Sequence, residues 1–259
     1  MRCLFGIAVI LALLGGGPLF MWWLGDIDPR GDWRNADRTS AGLAPDLERT
    51  PDAVVQVYSA RAFGWRGIFA VHAWVVTKPK GAVEYTVHQV TGWGRPTLSS
   101  RTGIPDRAWF GSPPEVHATL CGAPAEQAIE QIEEALPHYP YQDRYRAWPG
   151  PNSNTFVAWL IREVPALAVS LPPTAIGKDY LGDRIVAPSP GGTGFQVSLG
   201  GYIGGTAGVR DGVEVHLGGL VVGIDPGTLG AKLPGVGTLS LLGARGTNDP
   251  AECPPRAAE

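Results

Sequence analysis

The chain is poor in the residues that most often announce a chemistry. It has three cysteines in 259 residues, in neither a CxxC pair nor a zinc-ligand spacing, so no thiol redox motif or zinc module is expected. It has no basic run able to neutralise phosphates and a formal charge of −3, so no nucleic-acid partner is expected. No GxGxxG occurs, and Lys232 is not preceded by the glycine that a phosphate loop needs; no cofactor is expected. His72, His88 and His216 lack metal-ligand spacing, so no metal site is expected either. Cys3 lies in an apolar segment, which leaves Cys121–Cys253 as the plausible disulfide, although sequence alone does not establish it.

Glycine (36) and proline (24) are abundant, which implies many turns and short strands. Residues 3–24, CLFGIAVILALLGGGPLFMWWL, carry no charge. Their length suits a transmembrane helix, with Trp22 and Trp23 at an interfacial belt. No small-x-small cleavage site follows, so residues 1–24 read as an uncleaved anchor with membrane lipid as partner. Arg30, Arg34 and Arg38 after the span argue for the opposite orientation, but a two-residue tail before it suits a signal anchor, so the bulk of the chain is expected outside the cytoplasm, at the cell envelope. Residues 25–51 alternate in charge sign without periodicity and read as a linker.

The globular part is expected at 52–190. AVVQVYSARAF has strand composition, and FAVHAWVVTK and VEYTVHQVTGW read as a hairpin that places His88 roughly opposite His72. A loop is expected over RPTLSSRTGIPDRAWFGSPPEV. PAEQAIEQIEEAL reads as a helix with Pro124 at N1. In WPGPNSNTFVAWLIREVP, Asn152 is the natural N-cap of a second helix that Pro165 ends. Residues 191–244 are glycine-rich with short apolar segments, read as irregular β-structure packed on the main domain. Residues 245–259 read as a disordered tail.

Ser153 opens the second helix, where backbone N–H groups and the helix dipole favour an anionic oxygen. A serine hydroxyl still needs a base. His72 is the candidate general base, His88 its orienter and Glu84 a weaker one. Plain helix capping and half-exposed strand histidines account for the same residues without catalysis. Trp65, Trp74, Trp93, Trp109 and Trp148 are candidates for a groove that takes an acyl or glycan ligand, or for the core and its rim. Asn152, Asn154, Trp148, Trp74 and Tyr145 form the expected binding set. Lys178 and Asp179 read as a surface ion pair, and His117 and His138 show no partner.

NSNTF at 152–156, HAWVV at 72–76 and EY at 84–85 resemble the circularly permuted papain-like thiol hydrolases, PPPDE peptidases in particular, with Ser153 at the cysteine position. His88 is similar to the second ring of lecithin retinol acyltransferase-like enzymes. That resemblance implies an α+β papain-like domain, with an antiparallel sheet, that hydrolyses or transfers acyl groups at peptide, amide or ester bonds. A serine cannot reproduce a thiolate–imidazolium pair, so a non-catalytic envelope binding or scaffold protein is the second expectation. VVQVYSARAFGWRGIFAVHAWVV, WPGPNSNTF, LPPTAIGKDY and KLPGVG resemble, over nearly the whole globular part, the bacterial domain-of-unknown-function family 3750, which brings no activity.

Overall fold

The computed structural model describes residues 2–25, 27–243 and Cys253, apart from the side chains of residues 2–5 and 7. The expected disordered tail at 245–259 lies outside the described residues except for Cys253. Two antiparallel sheets dominate, with three α-helices among the described residues. This corrects the expected papain-like α+β domain: the protein is mostly β. Segments whose proline and serine content reads as loop supply strands, and the glycine-rich part is a regular sheet.

The first sheet contains β1 (Val54–Arg61), β2 (Val71–Lys78), β3 (Thr86–Val90), β4 (Leu98–Thr102) and β5 (Pro114–Cys121), in the order β4-β3-β2-β1-β5. β4 and the start of β5 occupy the expected loop. β1 and β2 are buried on both faces, as their unbroken apolar runs require. On one face Val55, Val57, Ala73 and Val75 pack under α2 (Ala123–Ala135) and α3 (Ser153–Glu163). On the other, Tyr58, Trp74, Val76 and Val87 form a second core with Trp109 and Cys253. Cys253 is joined to Cys121 by a disulfide.

Residues 25–51, expected as a free linker, are partly docked. Asp106 accepts from Ser40 Oγ and from the backbone N–H of Leu43 and Ala44, and Tyr85 Oη donates to the Pro45 carbonyl. These bonds come from residues forty or more positions away, so local composition does not announce them.

The expected single-pass anchor is also corrected: among the described residues no helix is long and apolar enough to cross a membrane. In α1 (Arg2–Leu24) the apolar run is diluted at Gly15, Gly16, Gly17 and Pro18. That stretch is a packing site, since Pro18 is buried and a Cβ on Gly17 would overlap the Pro234 carbonyl.

The second sheet is a meander of β6 (Val186–Pro188), β7 (Gly194–Leu199), β8 (Ile203–Gly208), β9 (Gly212–Leu217), β10 (Leu220–Asp225), β11 (Gly230–Leu233) and β12 (Gly237–Ser240), paired in sequence order. Lys178 and Asp179 attach it to the rest of the chain. They are buried, not a surface ion pair: Lys178 Nζ bonds both Glu214 carboxylate oxygens, at 2.9 and 2.7 Å. Lys232 Nζ reaches Glu214 at 2.6 Å. His216 stands between Glu214, at 3.0 Å, and Asp179, at 3.2 Å.

Candidate functional site

The proline-rich approach to α3 is organised by Asn152. Its Oδ1 accepts from the backbone N–H of Asn154 and Thr155, and its Nδ2 donates to the carbonyls of Ala147 and Ile176. Thr155 Oγ1 accepts from the Asn152 N–H, which completes a capping box. Gly177 has φ +96°, and a Cβ there would overlap the Asn152 amide. Asn154 Nδ2 ties the helix start to sheet one by donating to the Val71 carbonyl at 2.9 Å. Since Val71 precedes His72, this bond brings the helix start close to the base of the His72 strand.

The cap has two consequences. First, it occupies the N–H groups of Asn154 and Thr155 that an oxyanion would use. Second, Ser153 caps nothing: its hydroxyl makes no hydrogen bond among the described residues. Asn152→Ala is therefore expected to cost about 2 kcal/mol in urea unfolding, from the lost cap and the orphaned Ala147 carbonyl, since Ile176 keeps a bond from Asn154 Nδ2. Ser153→Ala is expected to stay within about 0.5 kcal/mol of the parent.

Ser153 and His72 line one cavity of about 1140 Å³. No hydrogen bond joins them. His72 instead bonds Gln89 Oε1 through Nε2 at 3.2 Å and stacks on Trp109, with ring centroids 3.6 Å apart and planes within 8°. An amide oxygen only accepts, so Nε2 carries the proton and Nδ1 is left as an acceptor. Burial, partly offset by the Gln89 bond, pushes the His72 pKa down to about 3, so the ring is neutral at pH 7.

His88 lies on the other face of the sheet. Its partner across the hairpin is Val75, three residues from the expected register. Its ring is held by Thr77 Oγ1 at 2.9 Å and Ser100 Oγ at 2.8 Å. The residue that orients His72 is Gln89, one position along β3. Alternation along the strand would have pointed to Gln89 had the register been known.

Of the expected binding residues, Trp148, Tyr145, Asn152 and Asn154 line the cavity. Trp74 does not: it is buried in the second core, stacked on Tyr58, with its indole N–H on the Pro105 carbonyl. Asn154 Oδ1 is buried without a hydrogen-bond partner. Glu84 forms neither a hydrogen bond nor an ion pair with His72, whose ring bonds Gln89 instead. His117, expected to have no partner, bonds Ser59 Oγ at 2.7 Å across β1 and β5 and lines a second cavity of about 940 Å³. Ser59 is only 1 % exposed, which suits a satisfied buried pair.

Trp65, Trp93, Trp109 and Trp148, expected as candidates for a groove, line this cavity, and Trp33, Phe63 and Phe110, which the sequence did not single out, join them. Arg38 lies over Phe110, Arg66 over Trp65 and Arg107 over Trp109, at 4.5, 5.1 and 5.6 Å from the ring centroids. No carboxylate lines the cavity, and none of these arginines forms an ion pair among the described residues. Burial, with the Arg38 charge, lowers the Arg107 pKa.

Residues 52–180 match the model of a protein family described as a protein of unknown function (DUF3750). The match supports the resemblance to that family. No curated protein and no solved structure matches the chain, and nothing found supports the papain-like resemblance.

Proposed function

We propose that the stretch matching this family of unknown function builds a binding site for a small acidic molecule with a flat apolar or aromatic body. One observation carries the reading: a cavity of about 1140 Å³ has stacked aromatic walls and arginines that lack an ion-pair partner, with no carboxylate among the described lining residues. Its volume slightly exceeds the usual range of roughly 300–1,000 Å³ for small-molecule sites. The aromatic faces suit a planar body, and arginine held on an aromatic ring presents a desolvated cation to an anionic group. Asn154 Oδ1 and His72 Nδ1 would accept from ligand donors, and the Ser153 hydroxyl is free to bond either way.

Two dyes test this, 8-anilinonaphthalene-1-sulfonate and its neutral counterpart N-phenyl-1-naphthylamine. The sulfonate is expected to bind about tenfold more tightly, with the preference lost in Arg107→Gln, as roughly 1.4 kcal/mol of charge-assisted bonding implies. Equal binding of both dyes would remove the acidic requirement, and binding of neither would remove the site.

A second reading, hydrolysis or acyl transfer, rests on the free Ser153 hydroxyl in the same cavity as neutral His72. Ser153 Oγ would attack an acyl carbon, its proton passing to His72 Nδ1 and then to the leaving group, with water releasing the acyl chain. Labelling by a fluorophosphonate probe, lost in Ser153→Ala and His72→Gln, is the result this reading requires. An unlabelled parent protein leaves binding alone.

A further inference from the structure

The second sheet is turned inside out. Antiparallel sheets with one solvated face ordinarily put apolar residues on the packed face and polar ones toward water. Here Gln196, Thr206, Glu214, His216 and Lys232 are buried, while Val213, Val215 and Ile224 are 49, 52 and 57 % exposed. The register places Phe195, Val197, Ile203, Val213, Val215 and Ile224 on one continuous outer face. Along β7 to β10 that face carries no charged or hydrogen-bonding side chain. α1 meets the sheet at β10 and β11, leaving β7 to β9 to water.

We propose that this outer face is an interface that packs against the same face of a second copy of the chain. Three features select that occupant. At roughly 4.8 Å per strand and 3.4 Å per residue the face of β7 to β10 covers about 400 Å² in projection, about half the roughly 800 Å² per partner of a stable interface before the relief of its protruding side chains is added. The face is neutral, so two copies meet without like charges and without a desolvation penalty. The usual twist of about 20–25° per strand turns a seven-stranded sheet too far to lie flat on a bilayer, whereas a second sheet of the same twist packs on it at about 30°. A self-complementary contact of this kind closes as a two-fold dimer. β9 is the central strand, which places Val215 near the axis.

Sedimentation velocity on the full chain, without detergent, tests the proposal. The parent is expected to be a dimer at micromolar concentration, and Val215→Lys to weaken association at least about tenfold while the thermal transition is kept. Ile203→Lys is the second variant, should Val215→Lys fail to fold. Val215→Cys should cross-link to its counterpart under mild oxidation, and Val186→Cys, on edge strand β6, should cross-link far less. A parent that stays monomeric, or a dimer indifferent to both lysines, overturns the proposal. So does a monomer that binds phosphatidylcholine vesicles through this face.

Discussion

Glu214→Ala will destabilise the protein by about 3–5 kcal/mol, the range for breaking a buried ion network from one side. The carboxylate is the only anion that touches both Lys178 and Lys232 among the described residues, and all three side chains are at most 5 % exposed. Removing it leaves two ammonium groups facing each other in the interior with His216 beside them. Burial alone would raise the Glu214 pKa, but Lys178, His216 and Lys232 outweigh it and hold the carboxyl well below the usual range. Glu214→Gln should be intermediate, keeping the shape but not the charge. The triple replacement Lys178→Met, Glu214→Leu, Lys232→Met should recover most of the loss, because exchanging a whole buried network for apolar residues removes the desolvation cost with the attraction. Urea unfolding of the three variants decides the matter, and a loss under about 1 kcal/mol in Glu214→Ala would mean the network contributes little.

Acid will destabilise the protein well before its carboxylates titrate. In the unfolded chain a histidine takes up its proton near pH 6.5. In the folded protein burial holds His72 down to about 3 and both His88 and His117 to about 4. Between those limits unfolding binds up to three protons, so stability is full above the unfolded value and falls with pH. The slope approaches roughly 4 kcal/mol per pH unit from the three rings. His216 acts in the opposite sense. Burial lowers its pKa, but the bonds to Asp179 and Glu214 raise it overall; its contribution is present below the unfolded value and fades as pH rises through the folded one. Glu214, depressed, loses its contribution only below about pH 4.3. Unfolding curves between about pH 7.5 and 5 should show the decline, and His72→Gln should flatten it by roughly 1.4 kcal/mol per unit. A level profile would show that the rings are not held neutral.

Several elements were legible from the residues alone. The 3.6-residue spacing of Ile129 and Ile132 marks α2. The Asn152 cap and Pro165 bracket α3. The two apolar runs about Pro79 and Lys80 pair as the β2–β3 hairpin. Each signal acts between residues a few positions apart, so composition and period suffice. The candidate site was legible in part: Ser153 and His72 do share a cavity, because Asn154 ties the start of one element to the base of the other.

What the tertiary structure decided depends on distance along the chain. His88 and Gln89 exchange faces with a small shift in pairing, and no local pattern chooses between those registers. Arg38 and Arg107 are remote in sequence, yet both sit on aromatic rings of one cavity. The alternation VEVHL was visible in the sequence, but the direction it faces was not. Glu214 and His216 turn inward because Lys178, Asp179 and Lys232 wait there to compensate them, and Val213 and Val215 are left outside. A strand's period shows that its two faces differ; which one is buried is settled by the partners that folding brings to it.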